Sequence, residues 1–318
     1  MFLLLPSMKA IVLAAGYGTR LSPLSNYLPK PLIPILGKPL LGHILHKLNR
    51  SGIADIGVNM HHHADLVRQF IAAQDPGLRI SLSYEPEILG VAGGIVAFRE
   101  FLKDEPFFML HNGDVLSTIP VDRLAVRYQE KRPLMAMVLH NHPAYNNVSV
   151  APDGTICDLR DTIRPAHVAR KLAYTGIAFM DAKVLDFIPA QGPADLIPVC
   201  LDIIREGKHR IEALIVDGCA WRDVGTVQSY FEVHRELLAG RAAFLPDMAV
   251  PADGRFLAED VTCEEGSQLR GFVSVGRRCV LKKNSIIENA ILWDDVTIEE
   301  GVHIRDAIVG RKFIVHAG

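Results

Sequence analysis

The chain has 318 residues, 49% of them hydrophobic, with a formal charge of -2 and a pI of about 6.7. That balance leaves no electrostatic footprint for nucleic acid or an anionic membrane, so an anionic ligand has to be held by a few placed cations. Five scattered cysteines (Cys157, Cys200, Cys219, Cys263 and Cys279) without CxxC spacing fit free thiols in a reducing, cytoplasmic compartment, and no apolar run approaches the roughly 20 residues of a membrane span. The opening MFLLLPS is too short for a signal peptide and lacks a basic flank. Because MKAIVLAAG reads as a complete first strand, residues 1–7 read as an N-terminal extension ahead of a natural start at Met8.

From residue 8 to 240, short β-branched runs alternate with amphipathic stretches. KAIVLAA, DIGVNM, RISLSYE, FFMLHNGD, MAMVLH and ALIVDG predict strands; LLGHILHKLNRSG, ADLVRQFIAAQ, DRLAVRYQEKR and SYFEVHRELLAG predict helices. The alternation predicts an α/β, Rossmann-like layer with a mostly parallel sheet, whose ligands gather at the carboxyl ends of strands. The two richest loops, after Ala15 and around Asp114, lie at such ends. Residues 241–256 lose this rhythm and read as a linker. From 257 to 318 the period changes to six: Val280, Ile286, Leu292, Ile298 and Ile304 form one row, and Leu269, Val275, Leu281 and Ile287 form its neighbour. A six-residue period marks a parallel β-helix, here of roughly three coils. A solenoid that short needs its ends covered, so the tail is expected to pack on the preceding domain or on another subunit, giving a homo-oligomer.

The loop after the first strand, GYGTRLSPLSNYLPKPL, carries two glycines and two cations with hardly a carboxylate nearby. A Walker A loop needs Gly-Lys-Ser/Thr together, and Lys30 lies far downstream of Gly16 and Gly18. A dinucleotide fingerprint needs a third glycine where this chain has Leu21, and an acidic residue about 20 positions on. Neither motif is present. Gly16 and Gly18 still free the backbone to bring N–H groups to an anion, and Arg20 and Lys30 supply charge. Phosphate binding is one reading of that composition; solvated surface charge is the other.

The stretch LAAGYGTRLSPLS…LPKPLIPILGKPLL resembles the signature of the nucleotide-sugar pyrophosphorylases, the sugar-1-phosphate nucleotidyltransferases, which follow the pattern LxGGxGTRLxPLT…PKPLxPV. The likeness continues in the same order through LGVAGGI (89–95), HNGD (111–114), YTGIAF (174–179) and WRDVGT (221–226), and the tail resembles the left-handed β-helix that many members carry. The resemblance implies that a sugar 1-phosphate oxygen attacks the α-phosphorus of a nucleoside triphosphate in line and releases pyrophosphate, with no covalent enzyme intermediate. Such a reaction asks the protein for positioning and charge neutralisation.

By the same resemblance, Arg20 and Lys30 hold the triphosphate, and the backbone from Ala15 through Gly16, Gly18 and Thr19 wraps phosphates and ribose. Asp114 and Asp223 are the expected ligands of Mg²⁺. Leu13, Ala14 and Ala15, with the segment from Glu85 to Gly90, are expected at the base, and Asn112, Gly113, Thr175 and Gly176 at the sugar. A carboxylate only accepts hydrogen bonds, so Glu85 suits the imino N–H of guanine, uracil or thymine. That favours GTP, UTP or dTTP over ATP, with UTP or GTP expected as the preferred donor and the choice between those two left open. The chain departs from the family in one place: it has no Glu-Lys-Pro, whose lysine grips the sugar phosphate in many members. Arg160, Arg164 and Lys171 are the candidates to replace it. His61, His62 and His63 are adjacent on a turn and point in different directions, which suits a structural or capping role, and Trp221 reads as a packing residue. The alternative function is a non-catalytic paralogue that binds a nucleotide sugar and regulates through assembly. A third, acyl transfer by the tail, is disfavoured because His303 and His316 lie near the end of a short solenoid.

Overall fold

The continuous apolar run in KAIVL forms β1 (Lys9–Leu13), an inner strand of a nine-stranded sheet. The computed structural model describes residues 8–74, 76–241, 245 and 253–316; the extension at 1–7 and most of the linker at 241–256 lie outside the described residues. The other strands are β2 (Asp55–Met60), β3 (Arg79–Tyr84), β4 (Phe107–Asn112), β5 (Met135–His140), β6 (Val148–Val150), β7 (Ile156–Leu159), β8 (Arg170–Asp181) and β9 (Ile211–Ile215). β1 pairs in parallel with β2 and β4, β2 with β3, and β5 with β9. The long β8 runs antiparallel between β4 and β5, and its first residues also pair with β6, which carries β7. The expected Rossmann-like, mostly parallel sheet is therefore present. All six strands expected from sequence form; β6, β7 and β8 were not expected.

The α-helices longer than one turn are α1 (Leu40–Arg50), α2 (Ala64–Ala72), α3 (Gly90–Val96), α4 (Val121–Lys131), α5 (Leu196–Glu206) and α6 (Val227–Leu238). Two compact units result, and they do not follow the sequence boundaries at 240 and 257. The first takes the chain up to Gly16, Ile44–Val115 and Ile119–Cys219; the second takes Tyr17–His43, Leu116–Thr118 and the chain from Ala220 onward. The core of the first unit runs through Ile11, Phe108, Leu110, Met137, Ala178 and Met180.

In the second unit the tail forms β10 (Arg255–Leu257), β11 (Thr262–Cys263), β12 (Gln268–Val275), β13 (Val280–Leu281), β14 (Ile286–Leu292), β15 (Thr297–Ile298), β16 (His303–Gly310) and β17 (Phe313–His316). Parallel partners lie one coil apart, as in Leu269↔Ile287, Ile287↔Ile304 and Leu281↔Ile298. This is the expected β-helix. The two rows read from the sequence need one correction. The Leu269–Ile287 coil spans 18 residues and the Ile287–Ile304 coil 17. The inward row is therefore Val275, Leu281 and Ile287, then Leu292, Ile298 and Ile304, all in one core, while Val280 and Ile286 are only half-buried. A single omitted residue made one row look like two.

Each corner of the coil is a column of left-handed residues: Gly266, Asn284 and Gly301; Gly271, Asn289 and Asp306; Arg278 and Asp295. Glycine, asparagine and aspartate tolerate that conformation best. Among the remaining contacts of this unit, Trp293 Nε1–H donates to Tyr230 Oη at 3.0 Å, and the Tyr230 hydroxyl donates to Pro34 O at 2.7 Å. Tyr27 stacks on Phe313 with centroids 4.8 Å apart. Within its own unit, then, the β-helix grips both α6 and the segment that carries Arg20 and Lys30.

Candidate functional site

In the first unit, β1 lies between β2 and β4, and Leu13 and Asn112 are register partners at the two carboxyl ends. The loops that follow, Ala14–Gly16 and Gly113–Asp114, thus leave the sheet side by side, where open α/β sheets bind ligands. Gly113 N–H donates to Leu13 O at 2.8 Å, and a Cβ on Gly113 would sit 2.5 Å from that oxygen. Glycine is required there so that the two loops can touch.

One strand away, Asn59 lies level with Leu13, because Val58 pairs with Val12. Its Oδ1 accepts from the backbone N–H of Ala14 at 2.6 Å and of Ala15 at 3.1 Å. Its Nδ2 donates to Glu85 Oε1 at 2.7 Å, and Glu85 Oε2 accepts from Leu89 N–H at 2.9 Å. Nothing in the sequence reading marked Asn59; an asparagine inside an apolar strand was its only signal. His61 Nδ1 donates to Glu85 O at 2.8 Å, so one histidine of the triplet is structural, and among the described residues no cluster of metal-ligating side chains forms around it.

Two of the expected site side chains are engaged by the protein itself. Glu85 is 1% exposed and spends both oxygens on protein donors, and Thr175 is 0% exposed with its hydroxyl donating to Val138 O at 2.8 Å. Gly176 has φ +80° where the β8 to β5 register breaks, and a Cβ there would lie 2.8 Å from Asn112 Nδ2, so Asn112 packs against the bare backbone. Gly90, with φ +72°, has an equally plain structural cause: a Cβ would meet Ala194 O at 2.8 Å. Just before Asn112, His111 is fully buried, and burial and then the Lys47 charge push its pKa down to about 4. Lys47 is itself pushed down to about 8 by burial, against the pull of Cys219 and Asp122. Asp114 is half-buried.

The loop that stands in for Glu-Lys-Pro is built around Asp158. This buried carboxylate accepts from the N–H groups of Leu159, Thr162, Ile163 and Arg164. Burial alone would raise its pKa, yet these four donors hold it below the usual range. Lys171 Nζ pairs with Asp161 Oδ1 at 2.5 Å and Arg164 Nε donates to Asp161 O at 3.1 Å. Among the described residues, exposed Arg160 is the candidate cation with neither contact.

The second unit carries Arg20, Lys30 and Asp223. Gly18, with φ +63°, starts a short 3-10 turn over Thr19–Leu21 and accepts from Leu21 N–H at 2.8 Å. A Cβ there would press on Lys30 Cβ and Ser25 Cβ at 3.3 Å, so the protein itself requires this glycine. At Gly16 an added Cβ would meet nothing within 4 Å. Lys30 Nζ stands 4.0 Å from Asp223 Oδ1. A Cβ on Gly225 would lie 2.6 Å from Asp223 Oδ1 and 3.1 Å from Arg20 Nη2. Arg20 and Asp223, about 200 residues apart in sequence, therefore meet beside the bare backbone of Gly225, and Lys30 stands against the same Asp223. The Trp221–Asp223 strand is held by Thr118, which bonds Ala220 through both its N–H and its hydroxyl at 3.0 and 2.9 Å.

All five cysteines are free, and among the described residues no helix is long and apolar enough to cross a membrane. Comparison with known proteins adds the lineage. Residues 9–240 match the nucleotidyl transferase family. A UTP–glucose-1-phosphate uridylyltransferase of Synechocystis is 24% identical over 97% of this chain and 88% of its own length. A glucose-1-phosphate thymidylyltransferase of Streptomyces griseus is 27% identical over 96% and 92%. An N-acetylmuramate α-1-phosphate uridylyltransferase of Neisseria meningitidis is 34% identical over 69% and 94%. A solved structure from Bacillus anthracis, described as a putative glucose-1-phosphate thymidylyltransferase, superposes with a TM-score of 0.61 at 21% identity, over 77% of this chain and 98% of its own. With its switch-point loops, its converging cations and a match over most of its length, the chain belongs to the nucleotidyl transferase family.

Proposed function

We propose that the protein transfers a nucleotidyl group from a nucleoside triphosphate to a sugar 1-phosphate, forming a nucleoside diphosphate sugar and pyrophosphate. The observation that carries this reading is the convergence of Arg20 and Lys30 on Asp223 beside Gly225. Two cations beside a bare backbone suit a polyphosphate, and a chain reversal at Gly18 presents them. Gly16, which the fold does not itself demand, leaves its backbone open to a phosphate or ribose. The relatives, named for uridylyl, thymidylyl and guanylyl transfer, support UTP, dTTP or GTP as the donor. With Glu85 engaged by the protein, the choice of base falls to the backbone around Leu13–Ala15 and to pocket shape.

The donor set fits Mg²⁺. Asp114, in a turn, and Asp223, at the end of a short strand, each offer hard carboxylate oxygens, and Mg²⁺ is usually held by one or two carboxylates together with phosphate oxygens. When bound, the ion neutralises charge on the phosphates. The protein's own part is to hold the α-phosphorus for in-line attack, with Arg20 and Lys30 placed against the charge that moves toward the leaving pyrophosphate. Arg160, on the loop clamped by Asp158, is the cation proposed for the sugar phosphate. We further infer self-association through the tail, supported by a groove of about 610 Å³ on its last coil, lined by Ile298, Val302, Ile304, Val309 and Ile314.

The test is pyrophosphate release with each of ATP, CTP, GTP, UTP and dTTP against a panel of sugar 1-phosphates. At least one hexose 1-phosphate should turn over, EDTA should stop it and Mg²⁺ should restore it. Asp223→Asn should lower kcat by about two to three orders of magnitude, comparable with losing one preorganised electrostatic contact. Full turnover in chelator would remove the metal from this reading, and no turnover with any pair would remove the reading.

A further inference from the structure

We propose that Glu85 is a positioning residue: it orients Asn59, and Asn59 holds the Ala14–Ala15 backbone in the shape that accepts the nucleotide. The proposal rests on the nucleotide reading given above, and it assigns Glu85 no contact with the base. The relay is continuous and short. Leu89 N–H donates to one Glu85 oxygen at 2.9 Å, Asn59 Nδ2 donates to the other at 2.7 Å, and Asn59 Oδ1 accepts from Ala14 and Ala15. Asn59 is 2% exposed and Glu85 1%, so neither side chain reaches an open face.

Donor and acceptor types decide why these residues occupy these places. An asparagine side chain can flip, presenting oxygen or NH₂ to a neighbour. Here both outer partners, the loop amides on one side and Leu89 N–H on the other, are donors. Only a group that accepts at both of its oxygens can sit next to Leu89 and still force the Asn59 NH₂ toward itself. A carboxylate does this. Its acceptance fixes the Asn59 oxygen toward Ala14 and Ala15, and so fixes the first two residues after β1. Space has been left for the pair: a Cβ on Gly94 would stand 2.9 Å from Asn59 Nδ2 and 3.3 Å from Glu85 Oε1. Glycine in the middle of α3 lets that helix close over the relay.

The chemistry supplies its own test, because the relay can be rewritten with every bond kept. Glu85→Gln places an NH₂ against either Leu89 N–H or Asn59 NH₂. Asn59→Asp sets two carboxylates face to face. Each single change should raise KM for the nucleotide about ten- to a hundredfold, the cost of a buried charge-assisted bond, and leave KM for the sugar 1-phosphate unchanged. The factor should be the same for every nucleotide the enzyme accepts. In the double variant, the new aspartate accepts from Ala14, Ala15 and the new glutamine's NH₂, while the glutamine oxygen accepts from Leu89. Its nucleotide KM should return to within a few-fold of wild type. Hydrogen exchange of the Ala14 and Ala15 amides in the nucleotide-free protein gives a second readout: protection lost in each single variant and regained in the double.

Melting temperatures establish that each variant is folded. A Glu85→Gln enzyme that changes the ranking of nucleotides would overturn the proposal, since that is the mark of direct base contact. So would a folded double variant that regains neither KM nor amide protection. Should wild type turn over no nucleotide at all, the proposed function fails, and the exchange experiment still decides the relay.

Discussion

His234 shows how far one buried side chain constrains its surroundings. The Leu36 N–H can only donate, so His234 Nε2 accepts it at 3.3 Å, and the ring proton must sit on Nδ1, which donates to Tyr230 O at 3.1 Å. Burial pushes its pKa down to about 4, as burial and Lys47 do for His111. Both rings are neutral in the fold and take up a proton near pH 6.5 once unfolded. The folded pKa is the lower one, so this stability is complete above about pH 6.5 and is lost as pH falls toward 4. Between about pH 7.5 and about pH 5, each histidine should account for about 2 kcal/mol of lost stability. Denaturant titrations across that range should show the fall, and His234→Gln should have a visibly shallower pH dependence. An unaltered slope in that variant would mean that His234 is not the titrating group. Arg20, Lys30 and Asp223 were legible in the sequence because charged residues in long motifs betray themselves. Asn59 and the burial of Glu85 were not, because a polar residue beside a strand looks solvated until the third dimension supplies its donors.

At the level of elements, short apolar and β-branched runs bounded by turn residues found six of the nine strands of the sheet, β1 to β5 and β9. The reading missed α5, and it missed α3, whose GVAGGIV carries three glycines and no helical signature. It also missed β8, because Gly176 interrupts its pattern in the middle and Arg170 and Lys171 begin it. The β-helix was readable in its period and misread in its rows, since a 17-residue coil shifts the inward face by one position. Its corners are testable. Gly271 has φ +64°, and a Cβ there would collide with Asn289 Oδ1 of the next coil. Gly271→Ala should therefore cost about 1–3 kcal/mol from combined backbone strain and overlap. Adding Asn289→Gly should recover the overlap and leave the backbone share, as read by thermal melts. If Gly271→Ala melted with wild type, the corner would not be under that constraint.

For the molecule as a whole, the division into two units was invisible in the sequence, because the second unit gathers residues 17–43, 116–118 and the chain from 220 from three separate stretches. Self-association belongs to this scale. The groove on the last coil exposes Val302 at 37% and Ile314 at 55%, apolar surface of the kind that marks contact sites. Light scattering of the full chain should give a multiple of 35.1 kDa, and Ile314→Glu should shift it toward monomer. A wild-type monomer would exclude assembly through the tail.

The bond from the Trp293 indole to Tyr230 has an optical consequence. The chain has two tryptophans, Trp221 and Trp293, and both belong to the second unit. One stands two residues before Asp223, and the other is tied through Tyr230 to Pro34. Their ultraviolet emission is therefore a private channel for the unit that carries Arg20 and Lys30. The unit with Asn59 and Glu85 is dark in that channel, and its unfolding shows only in backbone signals. Any lag between the two readings times one unit against the other, with no label added to the protein.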